Sequence, residues 1–222
     1  MDDSTKVHDH FQKVSGAFDS IYSGEQRSFI YRMVDILFRR RILEGRRNAI
    51  LEFASPVKDK DILDIGCGPG RYVVMLAKDE PSSILGLDMS DSMIELAKRL
   101  AAERGITDIC KFEKGGFLKK EFDKKFDIII AAGVADYTSD PKVFLSKIKD
   151  ILNERAIISF PVKWTIFTPI RMLWLFKRKC PNYYYSNSDI KRLVKECGLK
   201  IKSSKKIGSF LVPGNYIVVC EN

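Results

Sequence analysis

Leu63-Asp64-Ile65-Gly66-Cys67-Gly68-Pro69-Gly70-Arg71 is the stretch on which the reading of this 222-residue chain turns. Ile62 to Ile65 reads as a short apolar strand, Gly66 to Gly70 as a loop and Arg71 to Lys78 as a helix. Glycines on alternate positions between a strand and a helix let the backbone turn tightly and come close to a ligand. Two kinds of ligand compete for such a loop. A dinucleotide site asks for GxGxxG, whose third glycine falls on position 71, and this chain has Arg71 there.

Two carboxylates discriminate between them. Asp64, at the carboxyl end of the strand, would repel a pyrophosphate and attract a cationic amino-acid end. Asp88, eighteen residues past Gly70, ends the next strand. It suits a ribose diol, with two carboxylate oxygens accepting from two hydroxyls. A ligand with a ribose, no phosphates and a positive sulfonium and amine end is S-adenosylmethionine. The alternatives are a helix-capping role for Asp64 and a surface turn for Asp88.

Working outward, residues 1–55 read as helical and strand-free, a cap ahead of the main domain. From Glu25 to Phe53 apolar residues recur mostly at three- and four-residue steps. Arginines at 39–41 and 46–47 interrupt that stripe, which predicts a break, or a second helix, near Gly45. Residues 56–222 read as alternating strands and helices. Ile84–Leu87 is the second strand, and Ser90 is expected to cap the helix that follows. Ile109–Glu113 and the continuously apolar Phe126–Ala131 come next. Asp140-Pro141 starts another helix, and Ala156–Phe160 is the fifth strand. A helix from about Ser188 to Cys197 and strands near Leu199–Lys206 and Tyr216–Cys220 finish the chain. The fold class is α/β: a Rossmann-like, doubly wound sheet, mostly parallel, with an antiparallel last strand and a helical N-terminal cap.

Composition removes other chemistries. Both histidines, His8 and His10, lie in the N-terminal tail, so a Ser-His-Asp or Cys-His apparatus has no imidazole in the folded body. Five scattered cysteines with no CxxC spacing fit reduced thiols in a cytoplasmic setting and point to no metal site. The acidic, polar N-terminus is not a signal peptide, and no apolar run is long enough for a transmembrane segment. Between Lys163 and Lys206 stand twelve basic residues and two acidic ones, enough to account for the net charge of +9. Such a field favours anionic partners, or is a solvated face.

At this point D-I-G-C-G-P-G (Asp64–Gly70), followed by G-L-D-M-S-x-x-M-I-x-x-A (Gly86–Ala97), resembles the class I S-adenosylmethionine-dependent methyltransferases. The motifs cover about residues 56–160, and element order extends the likeness to the C-terminus. The helical N-terminus with Phe18-Asp19-Ser20-Ile21-Tyr22 is similar to the cap of quinone-biosynthesis and magnesium-porphyrin methyltransferases.

The resemblance implies cofactor-binding residues: Asp64, Gly66, Cys67, Gly68 and Gly70 toward the methionine end and Asp88 on the ribose. Met89 would pack on the adenine, with Met93 nearby. Ala131, Ala132 and Gly133 would border the methyl, and Tyr22 would reach in from the cap. The family's usual Asp beside the adenine amino group is replaced by Gly115-Gly116-Phe117, so Gly116 and Phe117 take that place. Met89 and Phe117 could equally be core, and Tyr22 could serve helix packing.

Methyl transfer is an in-line displacement, so alignment is the main task. Asp136 and Tyr137 are the candidates for a general base, or else cap and pack; a carboxylate acceptor would need no base. The N/D-P-P-Y motif of amino-methylating nucleic-acid enzymes is absent, and Ala132-Gly133-Val134-Ala135 stands there. A small-molecule acceptor is therefore favoured over nucleic acid, although ribose methylation and a non-catalytic cofactor-binding role stay open. Residues of about 161–185 form a lid-like insertion. Its helix, from Thr168-Pro169 through Trp174 and Phe176 to Lys177-Arg178-Lys179, is about 16 Å long at 1.5 Å per residue. It suits a lid over a lipophilic, anionic acceptor, core packing, or peripheral membrane contact.

Overall fold

Strands buried on both faces are apolar at nearly every position, as the central ones of this chain are, while the edge strands carry lysines. In the computed structural model, which describes residues 40–163, 183–209 and 212–222, they form one seven-stranded sheet. The elements in order are α1 (Arg40–Ala54), β1 (Asp61–Ile65), α2 (Arg71–Leu76), β2 (Ser83–Asp88), α3 (Asp91–Glu103), β3 (Cys110–Lys114) and β4 (Phe126–Ala131). They continue with α4 (Pro141–Asp150), β5 (Leu152–Pro161), α5 (Asn187–Glu196), β6 (Lys200–Ser209) and β7 (Val212–Glu221). The strand order is β3-β2-β1-β4-β5-β7-β6. Pairings from β3 to β5 are parallel, while β7 runs antiparallel between β5 and β6.

Side chains alternate across the sheet with the period of two that a strand imposes. Leu63, Ile65, Ile129 and Ile158 join one buried cluster with Phe144 of α4 and Ile190 of α5. Ile62, Ile128, Ile130 and Ile157 join the other, against Ile50 of α1, Val73 of α2 and Ala97 of α3. Because β2 and β3 lie on one side of β1, and β4 and β5 on the other, strand order reverses between β1 and β4. A crevice opens beyond the carboxyl ends of two strands at such a point.

Three local expectations are corrected. There is no break at Gly45; α1 runs through it. A Cβ there would stand 3.0 Å from Ile207 Cγ2, so glycine serves the close approach of helix to β6. Ser90 occupies the N-cap of α3, but its side chain makes no capping bond and pairs with Ser92 Oγ at 2.9 Å. Asp140, by contrast, does cap α4, accepting from the backbone of Lys142 and Val143. The fifth strand is longer than its apolar core, extending back to Leu152.

The carboxyl end of α1 is tied down by Arg155 of β5. Its guanidinium donates to the carbonyls of Phe53 (3.2 Å), Ala54 (2.6 Å) and Pro56 (2.7 Å). The first two are carbonyls that a helix end leaves without intrahelical partners, and Pro56 lies just beyond it. Residues 1–39, which hold most of the expected cap, and 164–182, which hold most of the expected lid, lie outside the described residues. No helix among the described residues is long and apolar enough to cross a membrane.

Candidate functional site

The glycine loop turns where the strand pattern places it, at the switch between β1 and β4. Gly66 and Cys67 donate from their backbone nitrogens to Leu87 O, at 2.7 and 3.1 Å, which binds the loop to the end of β2. Gly66 has φ +67, and a Cβ on it would stand 2.7 Å from Val134 Cγ2, so both backbone and space require glycine. Gly70 has φ +75 and faces Ala97 and the Phe112 ring at 3.1 Å. Gly68 is different: nothing lies within 4 Å of where its Cβ would be. The loop is packed at its two ends and open in the middle.

Asp64 is the penultimate residue of β1, just before the loop. It is 1% exposed, and neither carboxylate oxygen has a hydrogen-bond partner among the described residues. Burial, with the field of Asp88 added, pushes its pKa up to about 8. A buried carboxyl without a partner is costly, and a cationic ligand group is what would complete it. Asp88 is held more firmly. Its Oδ2 accepts from Gly68 N and its Oδ1 from Ser90 N, both at 2.9 Å. Burial raises its pKa and these backbone donors oppose the rise. Each oxygen still keeps a lone pair for a hydroxyl donor.

Beyond Asp88, Met89 is half-buried, and its Sδ is 3.7 Å from the Cβ position of Gly116. Gly115 N donates to Asp88 O at 2.9 Å, which brings this segment back beside β2. Met89 thus packs beside Gly116. Met93 and Phe117 are buried. The Phe117 ring meets Phe144 edge-on at 5.4 Å and Phe122 at 5.9 Å, so it is turned into the aromatic core. Cys67 is buried as well, and burial pushes its thiol pKa far up, so it behaves as a small apolar group.

On the other side of the crevice, Ala131 is buried and Ala132 and Gly133 are half-exposed. Gly133 N donates to Ser159 Oγ at 2.7 Å, fixing the segment after β4 against β5. Residues Ala135–Tyr137 form one turn of 3-10 helix with Asp136 buried and Tyr137 half-exposed. Tyr183 N donates to Asp136 O at 2.8 Å, and the Tyr185 hydroxyl to Ala135 O at 3.3 Å. Burial, then Asp136, push the Tyr185 pKa up to about 12. Val162 and Tyr185 bridge in parallel, so both ends of the 161–185 insertion are anchored beside Asp136. Tyr22 lies outside the described residues.

Asp64, Gly66 and Gly68 at the end of β1 are thus joined to Asp88, Met89 and Gly116 at the end of β2, and Gly133 and Asp136 follow the neighbouring β4. The Phe117 ring packs in the aromatic core. Two neighbours of Gly133 had no motif to reveal them: Ser159, and Arg46 of α1, whose Nη1 is 3.5 Å from the Cβ position of Gly133. Arg46 interrupts an apolar stripe, and that interruption was the available signal.

The fold is an α/β, mostly parallel sheet with a glycine loop between two strand-end carboxylates, Asp64 and Asp88, at its switch point. The chain belongs to the methyltransferase-domain family, whose profile matches residues 56–195. It is 27% identical over 124 residues to a ubiquinone biosynthesis O-methyltransferase of Pasteurella multocida, covering 52% of this chain and 51% of that one. It is 24% identical over 166 residues to a probable chloroplastic tocopherol O-methyltransferase of Oryza sativa, covering 74% and 42%. The chain thus spans about half the length of these curated relatives. The magnesium protoporphyrin IX methyltransferase of Synechocystis PCC 6803, solved with SAH bound, superposes with a TM-score of 0.78 at 18% identity over 99% of both chains. The [4+2]-cyclase SpnF shares the fold as well, with a TM-score of 0.77 at 14% identity over 97% of this chain and 94% of that one.

Proposed function

We propose that this protein is an S-adenosylmethionine-dependent methyltransferase acting on a small, lipophilic, anionic acceptor. The observation that carries the reading is Asp64, a buried carboxyl with both oxygens unpartnered among the described residues, one strand away from Asp88. When bound, S-adenosylmethionine supplies a methyl group activated by a sulfonium.

Asp64 takes the ammonium of the methionine end, and the open face of Gly68 admits the chain of atoms that follows. Gly66, Cys67 and Gly70 keep the loop in its turn. Asp88 accepts from the ribose hydroxyls, and Met89, Met93, Gly116 and Phe117 bound the adenine slot. Of these four, Met89 and Gly116 line it directly, and Phe117 supports it from the core. Ala131, Ala132 and Gly133 border the reacting methyl. Asp136 and Tyr137 stand on the acceptor side, where a proton could be accepted. Residues 1–55, with Tyr22, serve as a cap over the core of residues 56–222, and residues 161–185 as a lid.

The anchoring of both ends of that insertion beside Asp136 supports a lid at this mouth. A small molecule is favoured over nucleic acid because much of the described basic surface is already engaged. Lys202 pairs with Glu221, Lys205 with Glu52 and Arg192 with Asp189, while Lys206 lies over the Tyr216 ring. Among the described residues, Cys67, Cys110, Cys197 and Cys220 are free thiols, which fits a reducing, cytoplasmic setting.

Calorimetry with S-adenosylmethionine, S-adenosylhomocysteine and NADP side by side tests the cofactor. Binding of the first two and not the third is expected, and a preference for NADP would refute the reading. Incubating a metabolite extract with labelled methyl donor then tests transfer. Cofactor binding with no labelled product would point to a non-catalytic or cyclase-like use of the fold.

A further inference from the structure

The segment between β3 and β4 begins with Gly115 and Gly116, a pair with more backbone freedom to lose than any other. It then makes one turn, in which Lys119 N and Lys120 N both donate to Gly116 O, at 3.0 and 3.1 Å. A glycine pair that keeps one conformation has to be fastened from outside. Gly115 N provides one fastening by donating to Asp88 O at 2.9 Å. The other comes from α4. Phe144 and Lys147 stand three positions apart on one face of that helix, and both reach Phe117. The Phe144 ring is 5.4 Å from the Phe117 ring, and Lys147 Nζ is 5.6 Å from the same ring centroid. Lys147 Nζ also donates to Leu118 O at 2.9 Å and to Lys120 O, and lies 5.8 Å from the Phe122 ring. Nearby lysines pair with carboxylates, Lys120 with Glu113 and Lys142 with Glu196. The half-buried Lys147 instead turns its ammonium onto main-chain carbonyls at the far end of the turn.

We propose that Lys147 is a positioning residue for the cofactor's base. By gripping the turn of residues 116–120 it fixes Gly116 beside Met89 and makes that side of the site selective for adenine. The inference rests on the methyltransferase reading and adds to it the residue that governs base selectivity. Residues 115–117 offer a purine no polar side chain, since two are glycines and the Phe117 ring packs with Phe122 and Phe144. Met89 offers only a thioether, a weak acceptor. Hydrogen bonds from this segment to the edge of a base therefore come from peptide groups. Such bonds weaken steeply with angle, so a peptide group tells donor from acceptor only where its plane is held. Lys147 supplies that constraint through Leu118 O, Lys120 O and the Phe117 ring, and not by touching the base.

The test measures binding of S-adenosylhomocysteine and S-inosylhomocysteine by calorimetry, using the full chain and its Lys147→Met and Lys147→Arg variants. The two ligands share the ribose and the amino-acid end. They differ at the base edge, where the 6-amino donor and N1 acceptor of adenine become a 6-oxo acceptor and an N1 donor. The wild-type chain should prefer S-adenosylhomocysteine about tenfold or more, the scale of one mispaired polar group. Lys147→Met should lose most of that preference, binding S-adenosylhomocysteine about fivefold more weakly and S-inosylhomocysteine within about twofold of wild type. Lys147→Arg still donates to two carbonyls and should restore the preference to within about threefold. Amide hydrogen exchange at Lys119 and Lys120 should quicken in Lys147→Met while that of β1 stays as it was. If Lys147→Met does not fold, Lys147→Gln takes its place, keeping a donor for one carbonyl and losing part of the preference. Equal weakening of both ligands would mark a merely structural role and overturn the proposal. An undiminished preference in the variant, or no preference in the wild-type chain, would overturn it as well. Failure of the wild-type chain to bind either ligand would instead overturn the functional reading, so the two failures are told apart.

Discussion

Asp64 and Asp88 end two neighbouring parallel strands, and the charge of the second adds to burial in keeping the first protonated at neutral pH. Only one of the pair has backbone donors to hold it. Asp88 is bound to the glycine loop through Gly68 N, whereas neither oxygen of Asp64 has a partner among the described residues.

That asymmetry predicts a proton coupled to the cofactor. The folded Asp64 pKa is about 8 and its ordinary value 3.8, so between these pH values the folded protein carries a proton that the unfolded chain has lost. Stability without cofactor is fully kept below the lower value. It falls as pH rises across the window, by about 1.4 kcal/mol per unit. Asp64→Asn should flatten that dependence in denaturant titrations run from acid to mildly alkaline pH. An ammonium beside Asp64 favours its ionised form, so S-adenosylmethionine binding at neutral pH should release about one proton. Calorimetry in two buffers of different ionisation enthalpy measures it, and identical heats would contradict the prediction.

Asp88→Ala should weaken S-adenosylmethionine binding by about 1.5–3 kcal/mol, the scale of hydrogen bonds to a charged group. Part of that loss comes through Gly68 and Ser90, whose backbone donors lose their acceptor. Wild-type affinity in this variant, read by calorimetry, would remove Asp88 from the ribose.

Gly66→Ala should destabilise the fold by about 2–4 kcal/mol, combining a left-handed backbone with overpacking against Val134. Adding Val134→Ala should recover the overpacking part and leave about 1–2 kcal/mol from the backbone. Urea denaturation of the single and double variants separates the two contributions.

Arg155→Met should cost about 2–4 kcal/mol in the same assay, because it leaves the carbonyls of Phe53, Ala54 and Pro56 without their donor. Arg155 is part-buried, unlike the exposed Lys58–Glu80 pair, where Lys58→Ala should leave the denaturation midpoint essentially unchanged. Hydrogen exchange should show α1 opening more readily in Arg155→Met.

Much of this protein was determined by local chemistry and could be read along the chain. Strand periodicity placed β1, β2 and β4. Three glycines and an arginine at position 71 separated the loop from a dinucleotide site, and Asp64 and Asp88 stood at strand ends where a ligand is met. These features act through backbone conformation and neighbours in sequence. Tertiary structure alone decided that β7 enters between β5 and β6, that Gly45 serves packing in an unbroken helix, and that Phe117 turns into the aromatic core. It alone brought Arg46 of α1 to Gly133 after β4. Each depends on which distant surface an element is pressed against, and sequence spacing carries no record of such contacts.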